Sequence, residues 1–187
     1  MRTDETWQKR VFPRILKKLF PARLQEVLQQ AQGWDKVPPL NNRFIWGDKG
    51  YGKTVLACQI LIKGAKDHYL QNLPLPDAAF VTMTDFIYEV KSTFNGEHPK
   101  GWTETKVIDF YRSKDFLILD DIGAVKATDW VYQTLFLIVN HRYDHLKVTI
   151  FTSNNNLNEL ADVMGDDRVV SRIERMCITT KKKPYKK

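Results

Sequence analysis

The residues most able to do chemistry sit in an octapeptide, GDKGYGKT, Gly47 to Thr54. It has the form G-x-x-x-x-G-K-[ST], follows an apolar run, RFIW, and precedes a helical pattern. Such a loop lets backbone N–H groups converge on phosphate oxygens, and the helix N-terminus adds positive potential. Lys53 would reach the β and γ phosphates, and Thr54 would offer its hydroxyl to Mg²⁺. The phosphate cradle is therefore assigned to Gly47, Asp48, Lys49, Gly50, Tyr51, Gly52, Lys53, Thr54 and Val55.

Three further stretches supply partners. FLILDD, Phe116 to Asp121, delivers two carboxylates at the end of a buried strand, where ligands bind in an open parallel sheet. Asp120 would hold Mg²⁺ and Asp121 would polarise an attacking water. TIFTSN, Thr149 to Asn154, is again a strand with a polar end, and Asn154 would bond that water or the terminal phosphate. In GDDRVVSRIERM, Gly165 to Met176, Arg168, Arg172 and Arg175 line one helical face. That face is either a solvated basic surface or an arginine finger reaching a neighbour's nucleotide, which implies self-association.

The elements that position these residues alternate. The pattern predicts strands over 43–46, 78–83, 116–119, 148–152 and 177–180. Helices are expected over 54 to about 68, 84–94, 104–111, 128 or 129 to about 143, 157–163 and 167–176. This is an α/β chain with a parallel sheet and right-handed crossovers. Residues 7–32 read as two short helices with Pro13 and Pro21 in their first turns. The expected organisation is a short basic helical segment over 1–36, a core over 37–180 and a lysine-rich tail over 181–187.

Composition narrows the class. The chain has 187 residues, 43% of them hydrophobic, with no apolar run of membrane-spanning length and no secretory pattern at its start, so a cytoplasmic location is expected. Cys58 and Cys177 make no metal-type cluster, and Cys58 reads as core packing. The net charge is +7, but its distribution is uneven. The last seven residues carry five lysines, residues 1–36 carry eight basic against four acidic residues, and the remainder nets −2. The basic ends are either solvated tails or contacts to nucleic-acid phosphates, Lys181, Lys182 and Lys183 among them.

Taken together, WGDKGYGKT, LILDDIGAVKATDW, NHRYDHLKVTIFTSN and DDRVVSRIERM resemble the AAA+ ATPases of the DnaC/DnaI helicase-loader family, near its IstB and DnaA branches. The resemblance covers roughly residues 40–187. It implies a P-loop NTPase core whose five-stranded parallel sheet has the order 5-1-4-3-2, flanked by helices. It implies ATP and Mg²⁺ as ligands, Lys53 and Thr54 as the Walker A pair, and Asp120 and Asp121 as Walker B. Asn154 becomes the sensor-one residue, and Arg172 the finger with Arg168 in support. The implied function is loading or remodelling of a hexameric replicative helicase on single-stranded DNA by protomers that associate through the ATP site. Two other readings stay open: an IstB-like transposition helper, and a truncated loader acting as an inhibitory module. A small-molecule kinase is disfavoured, because the TSN and SRI stretches have no role there. The resemblance also places the helix TDFIYEVKSTF where the family touches single-stranded DNA, so Phe86, Tyr88, Lys91 and Phe94 are either stacking and phosphate contacts or, for the aromatics, core, with Lys91 the one expected to be exposed. The chain departs from the family in its short N-terminal segment, in having no C-terminal lid domain after the final strand, and in its lysine-only tail, where Lys186 stands in place of a sensor-two arginine.

Overall fold

The computed structural model describes residues 2–126 and 128–183. Among these, five strands form one parallel sheet: β1 (Arg43–Trp46), β2 (Ala78–Thr82), β3 (Phe116–Asp120), β4 (Val148–Ser153) and β5 (Ile178–Lys181). The order is β2-β3-β4-β1-β5, which is the expected 5-1-4-3-2 read from the opposite edge. Each neighbouring pair is parallel; β1 registers Phe44 against Phe151 of β4, and β3 registers Ile118 against Ile150.

Side chains alternate across a strand, so each apolar strand feeds two cores. Ile45, Ala78, Ile118 and Ile150 face a cluster formed with α4 (Lys53–Leu70) and the N-terminal helices. Phe44, Val81, Leu117, Leu119 and Phe151 face the other, formed with α5 (Met83–Ser92), α6 (Glu104–Ser113), α7 (Asp129–Asp144), α8 (Leu157–Met164) and α9 (Arg168–Met176). Each fully buried aliphatic side chain contributes about 1.5–3 kcal/mol. Cys58 belongs to the first cluster and is fully buried.

The N-terminal region forms two helical pieces, as expected, over 4–19 and 22–30. A short α1 (Asp4–Thr6) runs through a π-helical stretch, Trp7–Val11, into α2 (Phe12–Leu19), and α3 (Ala22–Gln30) follows. Trp7, Leu16, Phe20 and Leu28 are buried against α4, and Phe20 packs edge-on against Phe80 of β2 at 5.6 Å. These residues fill the sheet face beside α4.

Helix starts follow their caps. Thr128 accepts from Val131 N at 3.3 Å, and Asn156 with Glu159 forms a capping box. The cap of α5 is Thr82, two residues before the helix start expected at 84. Its hydroxyl accepts from Asp85 N at 3.0 Å and donates to Asp85 Oδ2 at 2.8 Å, so the strand ends at Thr82 and the helix takes Met83. No described helix is long and apolar enough to cross a membrane.

Candidate phosphate site

The octapeptide forms the turn from β1 into α4. Tyr51 N donates to Asp48 O at 3.4 Å and Leu56 N to Gly52 O at 3.0 Å, closing the loop and opening the helix. Gly50 and Gly52 take left-handed φ values of 85° and 76°, which a side chain would oppose. Gly47 is required for a different reason. A Cβ there would lie 2.5 Å from the Lys182 carbonyl oxygen, because the chain leaving β5 passes directly over it.

Lys53 is buried, and its ammonium donates three hydrogen bonds: to Gly47 O at 2.7 Å, Asp48 O at 3.0 Å and Asn154 Oδ1 at 2.8 Å. Burial lowers its pKa, while the carboxylates of Asp121, Asp120 and Asp48 raise it. A point charge with three donors at the mouth of a glycine loop is suited to phosphate oxygens.

Thr54 Oγ1 donates to Asp120 Oδ2 at 3.1 Å, so the hydroxyl and carboxylate expected to hold Mg²⁺ already converge. Both are hard oxygen donors, as Mg²⁺ requires, and a site of one or two protein oxygens completed by phosphates and water suits that ion. Among the described residues no cluster of three His, Cys, Asp or Glu offers an alternative metal cage. The residues present therefore fit Mg²⁺. Burial pushes the Asp120 carboxyl above the usual range, and the hydroxyls of Thr152 and Thr54 pull it back.

Asp121 follows with φ 57°, a left-handed value rare outside glycine, which turns its carboxylate out of the strand line. Its Oδ1 accepts from Asn154 Nδ2 at 3.0 Å. Asn154 thus bridges Lys53 and Asp121 with its two amide ends. Thr152, which no sequence motif singles out, ties the Asp120 carboxylate to the Asp121 backbone. Its hydroxyl donates to Asp120 Oδ1 at 2.7 Å and accepts from Asp121 N at 2.8 Å. The signal is strand alternation, which puts Thr152 of β4 on the same side as Asn154, the residue just past its end.

A cavity of about 600 Å³ is lined by Lys49, Gly50, Gly52, Lys53, Thr54, Val55, Asp120, Asp121, Thr152 and Asn154. Its remaining wall is Phe80 and Thr82 of β2 with Pro21, Arg23, Leu24 and Val27 of the α3 segment. Nothing local in the sequence marks α3 as part of this site.

Arg168 and Arg172 do not line that cavity. They lie on α9 against the α7 face formed by Tyr132, Phe136 and Asn140. Arg168 is engaged by Asp166, with Nε at 3.0 Å and the second guanidinium contact at 2.8 Å, and Tyr132 donates to the same carboxylate at 2.7 Å. These bonds hold Asp166 well below the usual carboxylate range. Arg172 has neutral partners instead: Nε donates to Asn140 Oδ1 at 2.6 Å, a terminal nitrogen to Arg168 O at 3.0 Å, and Cζ stands 4.7 Å from the Phe136 ring centre. The Arg172 charge is therefore the uncompensated one.

The candidate DNA contacts fall in two separate places. Lys91 is exposed on α5, with its ammonium 5.7 Å from the Trp130 ring, and Tyr88 and Phe94 are exposed near it. Phe86 is fully buried between α5 and the sheet and packs on Tyr111, so it is core and not a stacking surface. Lys181, Lys182 and Lys183 run beside the start of the phosphate loop. Lys182 N donates to Trp46 O at 2.7 Å, and the Lys181 ammonium sits 4.5 Å from the Trp46 ring. Lys186 lies outside the described residues.

Residues 24–180 match the family model of the bacterial DnaA ATPase domain. The chromosomal replication initiator protein DnaA of Mycoplasma pneumoniae is 31% identical over 70% of this chain and 28% of its own length. The replicative helicase loader DnaI of Bacillus subtilis is 25% identical over 75% of this chain and 42% of its own. The chain thus spans less than half the length of these curated relatives. In fold it is similar to a replication initiator DnaA solved with AMPPCP and single-stranded DNA, with a TM-score of 0.59 and 24% identity over 87% of this chain and 46% of that one. With the sheet order, the phosphate loop and the paired carboxylates in place, the chain belongs to the bacterial DnaA ATPase domain family, which is AAA+ in fold.

Proposed function

We propose that the chain is an ATP-dependent DNA-replication factor that loads or remodels a replicative helicase on single-stranded DNA. The observation that carries the reading is the bridge Lys53–Asn154–Asp121 beside the pair Thr54–Asp120. It joins a phosphate-binding cation, a metal-holding pair and a candidate base in one network. Family membership and the relatives' replication roles support the client.

In this reading Lys53 exchanges its carbonyl and amide partners for β and γ phosphate oxygens. Thr54 and Asp120 hold Mg²⁺, which when bound neutralises charge on the phosphates. Asp121 accepts a proton from water as that water's oxygen attacks the terminal phosphorus and the bond to the ADP oxygen breaks. Asn154 holds the Asp121 carboxylate in place and takes over orientation of the water. Arg172 of a neighbouring copy neutralises the charge that builds on the transferred group, which explains why it stands away from its own cavity. ATP binding then favours assembly around DNA, and hydrolysis releases it.

The test is ATP hydrolysis by the whole chain with and without single-stranded DNA and a replicative helicase, beside Lys53→Ala. The reading expects stimulation by DNA. It expects Lys53→Ala to weaken ATP by about 100-fold, from the loss of charge-assisted contacts. A rate indifferent to DNA and helicase contradicts the proposed client, and unchanged ATP affinity in Lys53→Ala contradicts the site.

A further inference from the structure

The cavity that holds the phosphate loop has an N-terminal wall. Pro21, Arg23, Leu24 and Val27 face it, together with Phe80 and Thr82 of β2. Lys49, Lys53 and Arg23 are the cations among its lining residues. Lys53 is already bonded three times within the loop and to Asn154. Arg23 is exposed, and among the described residues no carboxylate, carbonyl or ring engages its guanidinium.

Its position along the site follows from the sheet. The strands run β1, β4, β3, β2 away from the phosphate loop. The terminal phosphate must lie toward Asp120 and Asp121, because the metal pair and the candidate base stand at the end of β3. β2 is the next strand; Phe20, three residues before Arg23 and just ahead of α3, packs on Phe80 of β2, and Arg23 lines the cavity together with Phe80 and Thr82. The N-terminal wall is therefore on the terminal-phosphate side. A guanidinium presents a planar fork of donors that matches two phosphate oxygens, and an exposed, unengaged one gives up few contacts when it turns inward.

We propose that Arg23 contacts the terminal phosphate of the nucleotide in the same chain, so that α3 distinguishes a nucleoside triphosphate from a diphosphate. The inference rests on the phosphate-site reading above and adds a residue from outside every motif. It gives the N-terminal helices a direct link to the nucleotide, since Leu28 of α3 is fully buried in the cluster that also contains Trp7, Leu16 and Phe20.

The experiment is calorimetric titration of the full chain with a non-hydrolysable ATP analogue and with ADP, both with Mg²⁺, for the parent, Arg23→Ala and Arg23→Lys. Arg23→Ala is expected to weaken the analogue by about 10- to 100-fold, the worth of a hydrogen-bonded charge contact, while ADP affinity stays within about twofold. Arg23→Lys is expected to recover part of the loss. An unchanged ratio of the two affinities overturns the proposal, whether both hold or both fall together. A parent that binds neither nucleotide overturns the phosphate site beneath it, whereas a parent that binds both with an Arg23-independent ratio overturns this assignment alone.

Discussion

Asp120 is held by two hydroxyls, Thr54 and Thr152, in a place that water scarcely reaches. Burial disfavours its charge and the neighbouring Asp121 charge adds to that, so its pKa is raised despite the two bonds. The sign of the consequence is fixed. An acid whose folded pKa exceeds its unfolded value binds more protons in the folded state between the two values, so stability falls as pH rises through that window. Without metal the ionised Asp120 is a liability, and a bound divalent cation relieves it. Asp120→Asn is expected to raise the Tm of the metal-free chain at pH 7 and to abolish its further rise on adding Mg²⁺ with nucleotide. A lower Tm in the metal-free variant would show the carboxylate to be stabilising as it stands. Mg²⁺-dependent nucleotide binding should also fade, as pH is lowered, earlier than an ordinary carboxylate would predict. The motif residues were legible because each is a residue type demanded by its chemistry at a fixed offset. Thr152 was not singled out, because a threonine in a strand is also ordinary strand composition. The need for Gly47 to lack a side chain came from Lys182, 135 positions away in sequence, which no local pattern reveals.

At the scale of elements, two contacts fix how the layers meet. Gly64 lies within α4, where a Cβ would stand 2.4 Å from Leu40 Cδ2 and 2.7 Å from Leu40 Cβ. The chain entering β1 can therefore press against the helix only because this position is bare. Gly64→Ala gains helix propensity but overpacks the contact, and is expected to cost about 1–3 kcal/mol. That corresponds to a Tm lower by about 2–4 °C for each kcal/mol, and an unchanged or higher Tm would show that Leu40 moves aside freely. The second contact is Arg142 of α7, which is fully buried. It donates to Tyr111 O, Arg112 O and Lys114 O at the end of α6, and to Thr149 Oγ1 and Val148 O at the start of β4. Burial lowers its pKa, and the charge of the Asp115 carboxylate opposes that shift. Arg142→Ala leaves those acceptors unpaired inside the protein and is expected to cost about 3–5 kcal/mol, measured by urea denaturation. A loss below about 1 kcal/mol would mean that water replaces the guanidinium. Strand and helix positions followed from period and apolar runs, so all five strands were located within a residue or so. The π-helical stretch, Trp7–Val11, and the burial of α2 and α3 were not legible, because amphipathic helices on a surface and against a neighbour share one pattern.

Over the whole molecule, the two halves of the proposed catalytic machinery sit on different surfaces. The cavity gathers Lys53, Thr54, Asp120, Asp121, Thr152 and Asn154, while Arg172 lies on α9, where its partners among the described residues are neutral. In the proposed reading a single copy holds a nucleotide site without a finger and a finger without a site. The most direct measurement mixes two inactive variants. Lys53→Ala protomers keep Arg172 but lose their own phosphate contact, and Arg172→Ala protomers keep the phosphate site but lose the finger. Each alone is expected to hydrolyse ATP about 10³-fold more slowly than the parent. If Arg172 acts on the neighbour's nucleotide, mixing them restores a substantial fraction of the parent rate, rising with total protein concentration. A mixture no faster than the sum of its two inactive parts would contradict the account.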